Sequence, residues 1–193
     1  MTPFRKLSER ERFRGSLISV ATATFAGPDG EFERDVVHHP GAVSVVPLLD
    51  DGTVILVRQY RAAIEADLLE IPAGKRDVDG EPPEETAARE LVEEVGMKAG
   101  RLELLAEFYN SPGFCDEHSW VFLGRDLTEC ANDLQGIEEQ HMTVERVALA
   151  DVPAMVARGE ITDAKTIIGL SLVLVRESGA ATPDSRTSSE GGT

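Results

Sequence analysis

Three carboxylates lie within five consecutive residues, on one side of a predicted helix. They belong to Glu90, Glu93 and Glu94, and aliphatic residues stand between them. An α-helix turns by about 100° per residue, so Glu94 lies about 40° to one side of Glu90 and Glu93 about 60° to the other, whereas Leu91 and Val95 fall on a separate arc. Like charges at this spacing destabilise a helix by about 0.2–0.5 kcal/mol per pair. A bound divalent cation would relieve this repulsion, and clustered carboxylate oxygens suit Mg²⁺ or Mn²⁺.

The residues around these carboxylates form a longer pattern. After Gly74 the chain carries Glu81 and then Arg89-Glu90-Leu91-x-Glu93-Glu94-x-Gly96-Met97. This pattern resembles the Nudix box, Gly-x5-Glu-x7-Arg-Glu-U-x-Glu-Glu-x-Gly-U, in which U is aliphatic. Gly74 precedes Glu81 by one residue more than the pattern specifies, so the loop is one residue longer. The alternative is an acidic amphipathic helix whose charged face is only solvated.

The resemblance implies metal-dependent hydrolysis of a diphosphate bond, with Mg²⁺ as the cofactor and Mn²⁺ as a substitute. In the family, carboxylates of the helix and a backbone carbonyl before the glycine loop bind the metal. Arg89 is expected to be structural, pairing with Glu85 or with the glycine loop. Gly74 shapes the loop, and Gly96 suits the C-terminal cap of the helix. The metal ligands so implied are Ala73 through its carbonyl, Glu90, Glu94, Glu93 for a second ion, and Glu81 in a metal-linked or loop-holding role.

The resemblance also implies a general base on a loop that follows the later strands. Residues 135–142 occupy the corresponding stretch of this chain. Glu139 is the first choice for this catalytic role and Glu138 the second, while Glu93 of the helix is a further catalytic candidate. The alternative for a loop glutamate in an acidic protein is simple solvation.

Two further segments resemble the ADP-ribose pyrophosphatase subfamily. Residues 70–75 (Glu-Ile-Pro-Ala-Gly-Lys) precede the box, and Pro112 lies about sixteen residues beyond it, where that subfamily carries a proline. The implied reaction splits ADP-ribose, or a related nucleoside diphosphate sugar, into AMP and ribose 5-phosphate. GDP-mannose or a dinucleoside polyphosphate is the alternative substrate, and a non-catalytic ADP-ribose-sensing domain is the alternative function. The substrate-binding candidates are Arg58, Glu70, Ser111 and Gly113.

Composition bounds the partners of this chain. Its 193 residues are 41% hydrophobic, which suits one domain with a sizeable core. The net charge of −16 argues against nucleic acid and anionic membrane surfaces as partners, because both are negatively charged. Cys115 and Cys130 are too few for a disulfide framework, and residues 1–13 show no secretory signal. We therefore expect a cytoplasmic enzyme that acts on a small nucleotide-sugar substrate.

The order of the predicted elements indicates an α/β fold, with a mixed sheet packed between helices. The resemblance implies the same Nudix-type α/β/α sandwich, plus an N-terminal strand pair. It also implies a homodimer in which exchanged N-terminal strands complete the partner's adenine pocket. The predicted organisation is residues 1–40 for the N-terminal strands, residues 41–177 for the hydrolase domain and residues 178–193 for a disordered tail.

Turn and cap signals place the individual elements. Asp50-Asp51-Gly52 between two apolar runs predicts a hairpin. Asp151 and Asp163 are each predicted to cap a helix, the second of which continues to about Arg176. The remaining predicted strands cover residues 15–25, 31–38, 42–49, 54–57, 68–72, 102–109, 119–123 and 142–149.

Overall fold

The computed structural model describes residues 3–131 and 141–179. Within these residues, ten strands form three sheets and three helices pack around them. Antiparallel pairs predominate, but the strands Ala42–Pro47 and His118–Glu129 run parallel, so the arrangement is mixed as predicted. The elements are β1 (Arg5–Arg14), β2 (Ser19–Gly27), β3 (Gly30–His38), β4 (Ala42–Pro47), β5 (Thr53–Arg61), β6 (Ala66–Glu70), β7 (Ala73–Lys75), α1 (Pro83–Val95), β8 (Met97–Tyr109), β9 (His118–Glu129), β10 (Thr143–Ala148), α2 (Val152–Ala157) and α3 (Ala164–Glu177).

Two apolar clusters lie on opposite sides of the strands. Leu91 of α1 packs with Val45 and Ile55 in one cluster, whereas Leu170 of α3 packs with Leu56 in the other. Ile55 and Leu56 are neighbours in β5 and point to opposite faces, because side chains alternate along a strand. Both faces are therefore covered by helices, and the predicted α/β/α sandwich is confirmed.

The N-terminal strands form a separate sheet in the order β1-β2-β3. The sequence predicted two of these strands and missed β1, whose ten residues are mostly charged and all exposed. The first predicted strand also began too early, since β2 starts only at Ser19. β1 lacks the apolar alternation that reveals a half-buried strand, because neither of its faces is buried within this chain.

The predicted hairpin around Gly52 is wrong as a pairing of two strands. The turn itself forms, with the Leu49 amide donating to the Thr53 carbonyl at 2.8 Å, but Leu48 and Val54 make only a single bridge. β4 instead lies between β7 and β9, while β5 lies between β6 and β10. Both edges of β4 are thus occupied, and the chain passes from one sheet to another at this turn.

The predicted helix ends are largely confirmed. Gly96 ends α1 in the left-handed conformation with φ of 62°, and Asp163 caps α3 by accepting from the Thr166 amide. Asp151 occupies the N-cap position of α2 as predicted, but its side chain makes no capping hydrogen bond. None of the helices in the described ranges is long and apolar enough to cross a membrane.

Candidate active site

The glycine loop and α1 meet at Glu94 and Ala73. Glu94 is buried, and its carboxylate accepts a hydrogen bond of 2.9 Å from the Ala73 amide. Ala73 opens β7, which pairs with β4, so the loop backbone is fixed by the sheet. The structure therefore brings together two of the predicted metal ligands, from positions 21 residues apart.

Glu90 lies directly over Gly74. A Cβ atom placed on Gly74 would stand 1.9 Å from the carboxyl carbon of Glu90. Any side chain at this position would displace the carboxylate, because real Cβ contacts at such distances do not occur. Glycine is required at residue 74 for this close approach, and it lets a third predicted ligand reach the loop.

Arg89 links the remaining carboxylates of the motif. Its guanidinium lies 3.0 Å from Glu90 and from Glu93, 3.4 Å from Glu81 and 3.7 Å from Asp77. Burial would lower the pKa of Arg89, but Glu81, Glu90 and Glu93 outweigh burial and raise it. Of its two predicted pairings, the contact is with the glycine loop, through Asp77 and Glu81.

Glu81 also accepts a hydrogen bond from the first turns of α1. Its carboxylate accepts from the Thr86 hydroxyl at 2.7 Å, and this bond, followed by that from Arg89, holds the pKa of Glu81 below its usual range. Both partners fix the junction between the loop and α1. This arrangement corresponds to the loop-holding alternative for Glu81.

The donor set suits a hard divalent cation. Within residues 3–131 and 141–179, no three acidic, histidine or cysteine side chains converge as a ready-made metal cluster. Glu90 and Glu94 instead flank the backbone of residues 73 and 74, which supplies carbonyl oxygen. Two carboxylates with a carbonyl are oxygen ligands of the kind that Mg²⁺ and Mn²⁺ take.

The predicted substrate residue Glu70 is enclosed by cations of the chain itself. Its side chain is 1% exposed, and its two oxygens accept from Arg61 Nε at 2.7 Å and Arg61 Nη2 at 2.6 Å. Lys165 makes a second ion pair with it. Burial raises the pKa of Glu70, but the two cations outweigh burial and hold the pKa below its usual range. These pairs occupy the carboxylate, which argues against a direct contact between Glu70 and substrate.

Arg61 is a candidate site residue that the sequence pattern does not indicate. Arg61 ends β5, and its side chain lies on the same face of the strand as Val57, the residue opposite Glu70 in β6. It also interacts electrostatically with Glu94. Arg58 lies an odd number of residues away and points to the opposite face, where it pairs with Glu145 of β10 at 2.6 Å. The alternation of side chains along a strand distinguishes the two arginines, once Glu70 is known to pair with this strand.

An aromatic pocket lies between the N-terminal sheet and the loop after β8. Its volume is about 440 Å³, and Gly113 lies in its wall, where an added Cβ would meet no atom within 4 Å. The Ser111 carbonyl accepts from the amides of Phe114 and Cys115 and closes the turn that carries Gly113. The lining residues are Phe4, Phe25, Phe32, Arg34, Asp35, Val36, Tyr109, Pro112, Gly113, Phe114, Cys115 and Asp116.

A row of stacked side chains connects this pocket with the glycine loop. Tyr109 of the pocket stacks on His118, with ring centroids 4.8 Å apart. The ring centroids of His118 and Trp120 lie 3.9 Å apart. The Arg76 guanidinium covers Trp120 at 4.7 Å and donates to the Glu81 carbonyl at 2.9 Å. The pocket and the glycine loop are thus neighbours along one surface. The candidate bases Glu138 and Glu139 lie outside the described residues.

Comparisons with known proteins agree with this geometry. Residues 38–168 match the NUDIX domain family. The chain is 37% identical to an ADP-ribose pyrophosphatase of Bacillus subtilis (strain 168), over 90% of this chain and 94% of that protein. It is also 37% identical to an ADP-ribose pyrophosphatase of Mycobacterium tuberculosis (strain ATCC 25618 / H37Rv), over 93% of this chain and 87% of that protein.

A solved structure shares the fold. The crystal structure of an ADP compounds hydrolase superposes with a TM-score of 0.78 at 25% identity, covering 94% of this chain and 98% of that one. The family match spans the glycine loop, α1 and both sheets that flank them. The chain therefore belongs to the Nudix family.

Proposed function

We propose that this protein hydrolyses the diphosphate bond of ADP-ribose to AMP and ribose 5-phosphate. The observation that carries the proposal is the convergence of Glu90 and Glu94 on the backbone of Ala73 and Gly74, one stacked row away from an aromatic pocket. The first part suits a diphosphate and its cation, and the second suits a flat base. The substrate itself is inferred from the relatives named above.

Glu90, Glu94 and the Ala73 carbonyl would hold the divalent cation, with Glu93 at the edge for a second. A cation bound there neutralises diphosphate charge and lowers the pKa of the attacking water. We favour Mg²⁺, with Mn²⁺ as a substitute, because the donors are hard oxygens. Arg89 neutralises part of the acidic charge before a cation enters and holds Glu81 and Asp77 of the loop in place.

Arg61 would add positive charge on the substrate side. Glu70 holds its Nε and Nη2 groups, which leaves the N–H groups of Nη1 for a phosphate oxygen. Arg58 is the second candidate for the diphosphate or adenine side, once Glu145 releases it. Glu139, or else Glu138, would accept the proton as water attacks one phosphorus and the bridging P–O bond breaks. Glu93 is the candidate base within the helix.

The aromatic pocket would take the adenine base. Phe25 and Phe32 stack with ring centroids 5.5 Å apart, and Arg34 covers Phe32 at 4.8 Å. Asp35 and the backbone of Pro112 and Gly113 supply polar groups at its edge. We further propose a homodimer, in which strands of residues 1–40 complete the pocket of the partner subunit. Both cysteines are free thiols, which agrees with a cytoplasmic location.

A substrate screen tests the proposed function. The purified protein is assayed with ADP-ribose, GDP-mannose and a dinucleoside polyphosphate, each with Mg²⁺, with Mn²⁺ and with EDTA. We expect ADP-ribose to give the highest kcat/KM, Mg²⁺ to support turnover and EDTA to abolish it. A preference for GDP-mannose or the dinucleoside polyphosphate would overturn the substrate assignment. Binding of ADP-ribose without release of AMP would favour a sensing domain.

A further inference from the structure

The buried carboxylate of Glu70 needs more than one cation. An ion taken out of water loses several kcal/mol of solvation, which an ion pair offsets only when the geometry is good and the remaining lone pairs are satisfied. Arg61 satisfies one edge of Glu70, and Lys165 contacts Oε2 from a different element. Lys165 is itself mostly buried, with 17% of its side chain exposed. The cluster therefore joins β5, β6 and the start of α3.

Lys165 lies at a position where a positive charge destabilises its own helix. It lies in the first turn of α3, where the helix dipole is positive and acidic side chains are preferred. Two carboxylates compensate this placement, because Lys165 lies 3.0 Å from Asp163 as well as beside Glu70. The gain from Lys165 thus comes from contacts outside the helix.

The neighbouring residue of α3 fixes the backbone directly after β6. Thr166 is fully buried, its hydroxyl donates to Asp163 at 2.6 Å, and it accepts from the Ile71 amide at 2.9 Å. Residues 70 and 71 are therefore held by two successive residues of α3. Two residues further along, the Ala73 amide bonds to Glu94.

We propose that Lys165 is a positioning residue, which holds Glu70 so that the Arg61 guanidinium faces the diphosphate beside Glu94. This inference rests on the proposed function, since it concerns how Arg61 meets the substrate. Without Lys165, the whole negative charge of Glu70 acts on Arg61 and draws the guanidinium away from the phosphate. Lys165 itself touches Asp163 and Glu70, and it acts on the reaction only through them.

The test compares Lys165→Met with Lys165→Arg, and Lys98→Met on the exposed surface of β8 serves as the control. For Lys165→Met we expect KM to rise roughly ten-fold, the scale of one charged hydrogen bond, with a smaller change in kcat. Lys165→Arg keeps the cation and should recover most of this loss, while Lys98→Met should match the parent protein. Circular dichroism and thermal unfolding establish which variants are folded.

A second comparison separates positioning from a general structural role. Glu70→Gln removes the charge that Lys165 neutralises, so adding Lys165→Met to it should change KM little further. An equal rise in KM in both backgrounds would overturn the proposal, as would an unchanged KM in folded Lys165→Met or a Lys165→Arg protein as impaired as Lys165→Met. The kinetics are measured on whichever substrate is cleaved best, so a wrong assignment of ADP-ribose is detected separately by the screen.

Discussion

Single residues of the acidic helix have distinct partners despite their common chemistry. Glu94 is buried against the Ala73 amide, Glu90 lies over Gly74, and Glu93 remains near the surface beside Arg89. Arg89 relieves the repulsion between these carboxylates, which the sequence pattern alone assigned to a cation. A metal entering the site would therefore compete with Arg89 for Glu90, whereas Glu94 accepts a hydrogen bond from the Ala73 amide and interacts electrostatically with Arg61.

Replacing Glu94 with glutamine tests this distinction. The amide oxygen can still accept from the Ala73 N–H, so we expect the fold to persist, but the charge needed to bind a cation is lost. Turnover of ADP-ribose should fall at least about 100-fold, because loss of a metal ligand costs no less than loss of its supporting contacts. Glu84→Gln, in the exposed first turn of the same helix, is the matched control. Full activity of the Glu94→Gln variant would remove the metal assignment.

The sequence could predict part of this site because α1 carries a regular pattern. The arrangement of Glu90, Glu93 and Glu94 on one side of α1 follows from helical geometry. A glycine at residue 74 is typical of a backbone that another group approaches closely, although the glycine alone does not identify that group. The contacts that Glu70 makes with Arg61 and Lys165 could not be predicted, because they depend on how β5 pairs with β6 and on a lysine 95 residues after Glu70. Contacts between distant segments leave no local periodicity.

At the scale of elements, His38 connects three parts of the chain. It ends β3, its Nε2 lies 2.6 Å from Glu9 of β1, and its Nδ1 lies 2.5 Å from Asp116 in the loop beside the aromatic pocket. A carboxylate accepts and does not donate, so both ring nitrogens must carry protons, as in the imidazolium. The hydrogen bond with Asp116, and then that with Glu9, raises the pKa of His38.

This contact predicts a pH-dependent stability of the folded protein. A raised pKa means that the His38 contribution is fully present below its unfolded pKa, about 6.5, and is lost as pH rises through the higher folded value. Glu9 has a lowered pKa, caused first by Lys6 and then by His38, so acid weakens the contact only well below neutrality. The stabilising window therefore lies on the acidic side of about pH 6.5 and above the titration of Glu9.

The measurement is the free energy of unfolding of His38→Asn and of the parent protein between about pH 5 and pH 9. The parent should be more stable near pH 6, and the difference should shrink as pH rises. His141→Asn, at an exposed histidine, is the control. A difference that is constant with pH, or that grows toward alkaline pH, would contradict a charged His38 between Glu9 and Asp116.

Element prediction from this sequence succeeded where local signals matched the fold. The left-handed Gly96 and the Asp163 cap were identified because each rests on a local rule about helix ends. The Gly52 turn was also local and formed, but its strands joined different sheets, which depends on β7, β9, β6 and β10. Pairing partners are chosen by the whole fold, so a correct turn did not give a correct hairpin.

At the scale of the whole molecule, β1 is an element whose stability contacts within one chain do not explain. All ten of its residues are exposed, and apolar side chains such as Phe13, 57% exposed, stand among its charges. A strand paired on one edge leaves the other edge open to a further strand. The net charge of −16 opposes self-association, so a dimer through this sheet would need apolar contact and the basic residues of β1 to offset it.

Light scattering at micromolar concentration tests the homodimer. We expect a mass of about twice the 20.9 kDa of the chain. Replacing the exposed apolar residues Leu7 and Phe13 of β1 with glutamate should give the single-chain mass, because each change adds charge and removes apolar contact. Val175→Glu, at an exposed apolar residue of α3, should leave the mass unchanged.

If the exchanged strands complete the adenine pocket, the monomeric variant should also show a raised KM for ADP-ribose while its thermal unfolding stays cooperative. A parent protein with the mass of one chain would exclude the dimer, and an unchanged KM in the monomeric variant would place the adenine pocket within one subunit.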